Sequence, residues 1–208
     1  MKYEILKNDS INRTMKNGSV VKLYRIISSK TFICQGITIK EGQVGGFIQN
    51  ESNLSHDDSS WIMNNAKVYG NASLENSLIT TDAIICEHAK VKNSLVSGKS
   101  RIFGNSSVDS CDVSDNVDIE DSIVERSRLR NWSNISKNSR VYDSELSGGS
   151  RISNSQVYNS KLSDVSEIKT NSIVRNCHLS RRTVISNNQI ENQTLAEELE
   201  LNITFHES

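Results

Sequence analysis

Proline is absent from this 208-residue chain. No residue therefore lacks a backbone donor, as suits a chain made almost wholly of hydrogen-bonded ladder. Aromatic residues make up 5% and apolar residues 35%, with a mean hydropathy of −0.48. Composition alone would suggest disorder, because so little apolar side chain is available for an ordinary core. The net charge is −1, so no overall field calls for nucleic acid or an anionic membrane. No apolar run approaches 18 residues, and neither a signal peptide nor a lipidation motif is visible. The expectation is a cytoplasmic protein with no membrane partner. The cysteines at 34, 86, 111 and 177 form no CxxC pair, so no metal site is expected, and nothing calls for a cofactor.

What the chain does have is one short pattern, repeated without a break from Ser60 to Ser186. The unit is small, any, aliphatic, any, and then usually Asn, Asp or Gly before the next small residue. Asn65-Ala66-Lys67-Val68-Tyr69-Gly70-Asn71-Ala72-Ser73-Leu74 shows it most clearly. Successive aliphatic residues are 5 or 6 apart, and grouped in threes the spacings sum to 16 or 17. A helix would need apolar positions at 3 and 4, and none occur. A period near 17 made of three short units predicts a three-sided β-solenoid, one unit per side.

Taking every third aliphatic sorts the chain into columns. One runs Val68, Ile85, Ile102, Ile119, Ile135, Ile152, Ile168, Ile185. The next is Leu74 followed by valines at 91, 108, 124, 141, 157 and 174, and the third passes from Ile79 to leucines at 129, 146, 162 and 179. Such sorting makes sense only if members of a column touch, coil over coil at about 4.8 Å. The small residue two places earlier points inward by strand alternation, towards an axis where three sides converge. The residue just before it is Asn, Asp or Gly in 15 of 22 units, as a corner with positive φ favours. The expected fold is all-β: a single-stranded, three-sided parallel β-helix of about 7–8 coils of 16–17 residues. Residues 60–187 form the helix and residues 1–59 a small N-terminal β cap that plugs the first coil. Residues 188–208 form a short tail that caps the last coil or crosses to a neighbour. Spacing does not give the hand. Within the tail Thr194 to Leu201 holds helix formers, while Leu199, Leu201, Ile203 and Phe205 alternate as a strand does.

Leu23-Tyr24-Arg25-Ile26, Gly45-Gly46-Phe47-Ile48, Asn53-Leu54-Ser55, Trp61-Ile62 and the Asn65–Ala72 stretch carry a resemblance. Together they resemble a family of phage, prophage and bacterial proteins that join an N-terminal cap to NAxVYGNA hexads. These are similar to YdcK-like β-helices of the hexapeptide-repeat class. The resemblance spans about residues 20–186 and implies a left-handed coil. Some members are labelled acyltransferases by fold analogy, which makes an acyltransferase using acetyl-CoA the alternative to the preferred reading, a phage- or prophage-encoded protein that binds a host protein, for example to inhibit a defence system. The sequence departs from the family in its 5-residue arms and in using Ser for Ala and Gly.

For chemistry, an acyltransferase of this class needs a His base and a loop enclosing the acceptor. The spacing never breaks between 62 and 185, so no loop is inserted. His88 at a corner is the candidate base; His178 points outward, and His56 and His206 lie outside the repeats. Non-catalytic binding is the preferred reading, and three surface features bear on it. Tyr69, Leu78, Ile84, Leu95 and Phe103 form an apolar set on outward positions, to be covered by the cap or by another subunit. Asp109, Asp112, Asp115, Asp118, Glu120, Asp121 and Glu125 fall within one coil as an acidic belt. It is either a solvated girdle or, in a further alternative, an acidic mimic of nucleic acid. Tyr142 and Tyr158 stack on adjacent coils between Arg140 and Arg175, and Trp132 takes a corner slot near Arg126, Arg128 and Arg130. Aromatic residues beside arginine dominate protein-binding hot spots. A protein partner is therefore expected, nucleic acid is not, and a homo-oligomer (dimer or trimer) is a further expectation.

Overall fold

The computed structural model describes residues 1–15 and 17–202. Ile203, Phe205 and His206 lie outside the described residues. The chain begins with β1 (Tyr3–Thr14) and β2 (Val20–Ser28), an antiparallel pair with a bulge between Leu6 and Ser10. A short hairpin follows, β3 (Phe32–Cys34) with β4 (Ile37–Ile39), and then β5 (Val44–Ile48). β5 is the hinge of the architecture. One edge pairs antiparallel with β2, and the other pairs parallel with Lys67–Val68, the first regular coil.

From there three parallel sheets climb together, one per side of a prism, through about nine turns. The first face stacks Ile48, Val68, Ile85, Ile102, Ile119, Ile135, Ile152, Ile168, Ile185 and Leu201 in register. The second carries Leu74 and the valines up to Val174 and then Ile190. The third runs from Ile62 through Ile79, Val96, Val113 and the leucines to Leu195. The stacked aliphatics of the repeats are almost all fully buried, so a chain of low mean hydropathy builds a continuous core from a minority of its residues.

The ladders run beyond residues 60–187 at both ends, which is why there are about nine turns and not 7–8. At the start, Leu54 already bridges to Leu74, but Ile62 follows Leu54 at a spacing of 8, and the loop between them hides the period. At the end, Gln189–Glu191, Thr194–Leu195 and Glu200–Asn202 are three more strands, so this stretch is coil and not helix. Ile190, Leu195 and Leu201 simply keep the spacing.

Corners use the left-handed backbone throughout, including Asn76, Asn93, Asp143, Asn159 and Asn176. Inside them the small residues do more than fit. Ser144 Oγ donates to the Tyr142 carbonyl at 2.7 Å and accepts the Ser160 N–H, one coil up, at 3.1 Å. The same relay joins Ser60, Ser77, Ser94 and Cys111, and again Ser127, Ser144, Ser160 and Cys177. In these rows serine does what alanine cannot, because its hydroxyl satisfies a buried corner N–H that the sheet does not reach.

Candidate interaction surfaces

The cap sits on the coil at two places. β3 and β4 lie against the lower third face: Phe32 packs edge-on to Trp61 at 5.7 Å, and the Gln35 amide donates to the Asn76 carbonyl at 2.6 Å. The end of the β1–β2 hairpin covers the lower first face, where Ile11, Met15, Val21 and Leu23 cluster with Phe47, Tyr69, Ile84, Cys86 and Phe103. Tyr69 is left 5% exposed and Leu78 1%, while Ile84, Leu95 and Phe103 are half-buried. Tyr69, Ile84 and Phe103 are therefore covered by the chain's own N-terminal strands, Leu78 is buried in the cluster that holds Cys34 and Ile39, and Leu95 stands at the lower end of the open third face.

Lys2 pins this cap. Its ammonium is buried and donates to the Ser60 carbonyl at 2.8 Å and to the Asp58 carbonyl and carboxylate at 3.1 and 3.3 Å. Its backbone N–H reaches His56 Nδ1 at 3.1 Å, and the His56 ring stacks on Tyr3 at 4.2 Å. Desolvation lowers the Lys2 pKa, against the pull of Asp58.

The acidic belt is spread over all three faces and the corners, and its carboxylates have partners within the chain. Asp112 accepts from Arg130 at 2.6 Å, and Asp118 pairs in fork fashion with Arg101. Asp121 accepts the Asn105 N–H at 2.8 Å, Asp109 the Asn93 amide at 3.1 Å, and Asp115 the Ser114 hydroxyl at 3.1 Å. Glu120 follows Ile119 on the first face. A ring around the girth does not present the long one-sided array of charge that a nucleic-acid backbone does.

His88 stands exposed at the corner between the first and second faces, with the Asn71 amide 3.3 Å from its Nδ1. His178 lies on the third face, many coils away. No group of three or more His, Cys, Asp or Glu able to hold a metal ion occurs among the described residues. Cys111 and Cys177 fill serine slots, donating to the Asp109 and Arg175 carbonyls at 3.1 and 3.0 Å. Burial pushes the Cys111 thiol up to about 12, so it stays protonated at neutral pH.

On the upper second face the rings of Tyr142 and Tyr158 are parallel within 6°, with centroids 5.4 Å apart. The Arg175 guanidinium lies over Tyr158 at 5.4 Å, and the Tyr158 hydroxyl donates to Gln156 at 2.6 Å. Arg140 stands beside this column, in register with Gln156. Arg101, Arg126, Arg128 and Arg130 all face carboxylates. Arg140 and Arg175 have no ion pair among the described residues.

Trp132 does not join the tyrosines, because the width of the third face separates their columns. It occupies the corner between the third and first faces, 70% exposed and with φ of 69°. Two coils on, Val165 repeats both features, 46% exposed with φ of 64°. Gly149 fills the slot between them, leaving a notch. Sequence reading missed Val165 and Gly149, although counting corner positions in steps of 16 or 17 would have placed them above Trp132.

No protein-family model matches this chain, and no curated protein matches it. Among solved structures it is similar to a provisionally assigned acetyltransferase from Desulfovibrio desulfuricans G20, at 11% identity and a TM-score of 0.27. The match covers 81% of this chain and 60% of that one, so the chain spans less than two thirds of that protein's length. A likeness of this size bears neither on chemistry nor on the hand of the coil. No helix among the described residues is long and apolar enough to cross a membrane.

Proposed function

We propose that this chain is a non-catalytic β-helical interaction module that grips a protein partner through the upper second face. The observation that carries this reading is the Tyr142–Tyr158–Arg175 column, with Arg140 beside it. These are stacked aromatics and uncommitted cations on a rigid sheet, where little side-chain entropy remains to be lost on binding. Trp132 and Val165 form a second, separate contact edge. Residues that are bulky, exposed and held at positive φ cost stability in the fold, and such strain collects at functional positions. The resemblance to phage-borne β-helices makes a host protein the partner class we infer first.

The test is capture from cells of the natural source, comparing wild type with Tyr142→Ala/Arg175→Ala. Loss of one defined protein from the variant, with its melting unchanged, supports the reading. Equal capture by both contradicts it. An acyltransferase reading rests on His88 and predicts stabilisation by acetyl-CoA in a thermal-shift measurement. The interaction reading predicts no shift.

A further inference from the structure

The outward residues of the third face, read up the prism from Leu95, are Asp112, Arg128, Glu145, Lys161 and His178. From Asp112 to Lys161 the signs alternate at every coil. On the corner beside this row, Arg126 and Asp143 are joined by two bonds of 2.7 and 2.8 Å, and Arg126 holds the Asp143 carboxylate below its usual range. The two rows wall a shallow groove floored by Cys111, Ser127, Ser144, Ser160 and Cys177. Unlike the lower part of the face, this stretch has no strand of the cap packed on it among the described residues.

We infer that the occupant of this groove is a second copy of the chain, lying antiparallel across a two-fold axis. The axis lies in the plane of the face, between the Arg128 and Glu145 coils. Such an axis keeps each row opposite itself and reverses its order. Asp112 then meets Lys161 of the other copy, Arg128 meets Glu145, and Arg126 meets Asp143. Every charge on both rows faces its opposite, about one axis. A slip of one coil sets Arg128 on Arg128 and Asp112 on Glu145, and a parallel arrangement sets each charge on itself. The pattern therefore selects direction and register together. Isolated exposed pairs contribute little affinity, so the charges act mainly as a key. The apolar contribution comes from the β3–β4 hairpin, whose Ile33 is 64% exposed and Ile37 45%. The same axis brings this hairpin to the partner's last coils. The upper second face stays open in the dimer, so this inference stands or falls separately from partner capture.

Sedimentation of the full chain is expected to show a reversible dimer. Arg128→Glu should weaken it at least tenfold, and Arg128→Glu/Glu145→Arg should restore it. Asp112→Cys/Lys161→Cys should cross-link into covalent dimers under mild oxidation, while Asp112→Cys alone should not, the four native cysteines being buried. A wild type that stays monomeric at hundreds of micromolar would overturn the inference. So would dimerisation unmoved by Arg128→Glu, or cross-linking by Asp112→Cys alone. If Arg128→Glu loses its β-sheet spectrum, the cysteine pair decides by itself.

Discussion

At the scale of single residues, the chain is shaped by what its corners require. Each small inward residue must fit a narrow prism, and at the corners flanking the second face, as at Ser127, Ser144 and Ser160, its hydroxyl also meets a backbone N–H from the next coil. Ser144→Ala leaves the Ser160 N–H buried and unpaired, so a loss of about 1–3 kcal/mol is expected in urea unfolding. Ser144→Cys should lose less, since Cys111 and Cys177 fill equivalent slots. Equal stability of Ser144→Ala and wild type would remove the hydroxyl relay from the account. Val165 tests the opposite case. A β-branched residue at φ of 64° is strained, so Val165→Asn should stabilise by about 1 kcal/mol. A loss of stability would show that the valine is there for packing. These positions also mark what was legible. Like aliphatics recurring at fixed intervals announce their contacts outright. The serines announce only smallness, because a hydroxyl's partner in the next coil leaves no trace in spacing.

At the scale of elements, the cap and the coil meet through close approach and one buried amine. Gly46 lies against the Ala66 carbonyl, where an added Cβ would come within 2.5 Å, and against Ile62. Gly46→Ala should therefore cost about 2 kcal/mol or more, read as a lowered melting temperature. Lys2 gives the cap a dependence on pH. Its folded pKa lies below the unfolded 10.5, so the folded chain binds fewer protons there than the unfolded chain. The contribution of this site then rises with pH between the two values. Cys34, pushed up to about 11 by burial, and Tyr3, also raised, slope the other way. Subtracting a Lys2→Met variant removes the Tyr3 part and leaves Lys2 with its own coupling to Cys34. The wild-type minus variant difference in urea midpoint should grow from pH 8 to 10, and a flat difference would contradict the burial argument. The cap was the part least visible in sequence, because strands of ordinary length paired antiparallel repeat nothing. That Tyr69 and Leu78 lie under it was open from pattern alone, since an outward position does not reveal what covers it.

At the scale of the whole molecule, the protein is a one-dimensional stack in which each coil touches only the next. An inert spine and a patterned surface follow from that arrangement. Aliphatic columns and serine relays use the inward positions, so the outward ones carry the variation: tyrosines and arginines on one face, alternating charges on another, and Trp132 at a corner. The stacking of like residues underlies all of it, and methyl NOE spectroscopy on isoleucine-labelled protein tests it most directly. A single chain of contacts is expected, running Ile85, Ile102, Ile119, Ile135, Ile152, Ile168, Ile185, with each of the five inner residues seen from two isoleucine neighbours and the two end residues from one. Isoleucine methyls that show no contact from one coil to the next would contradict it.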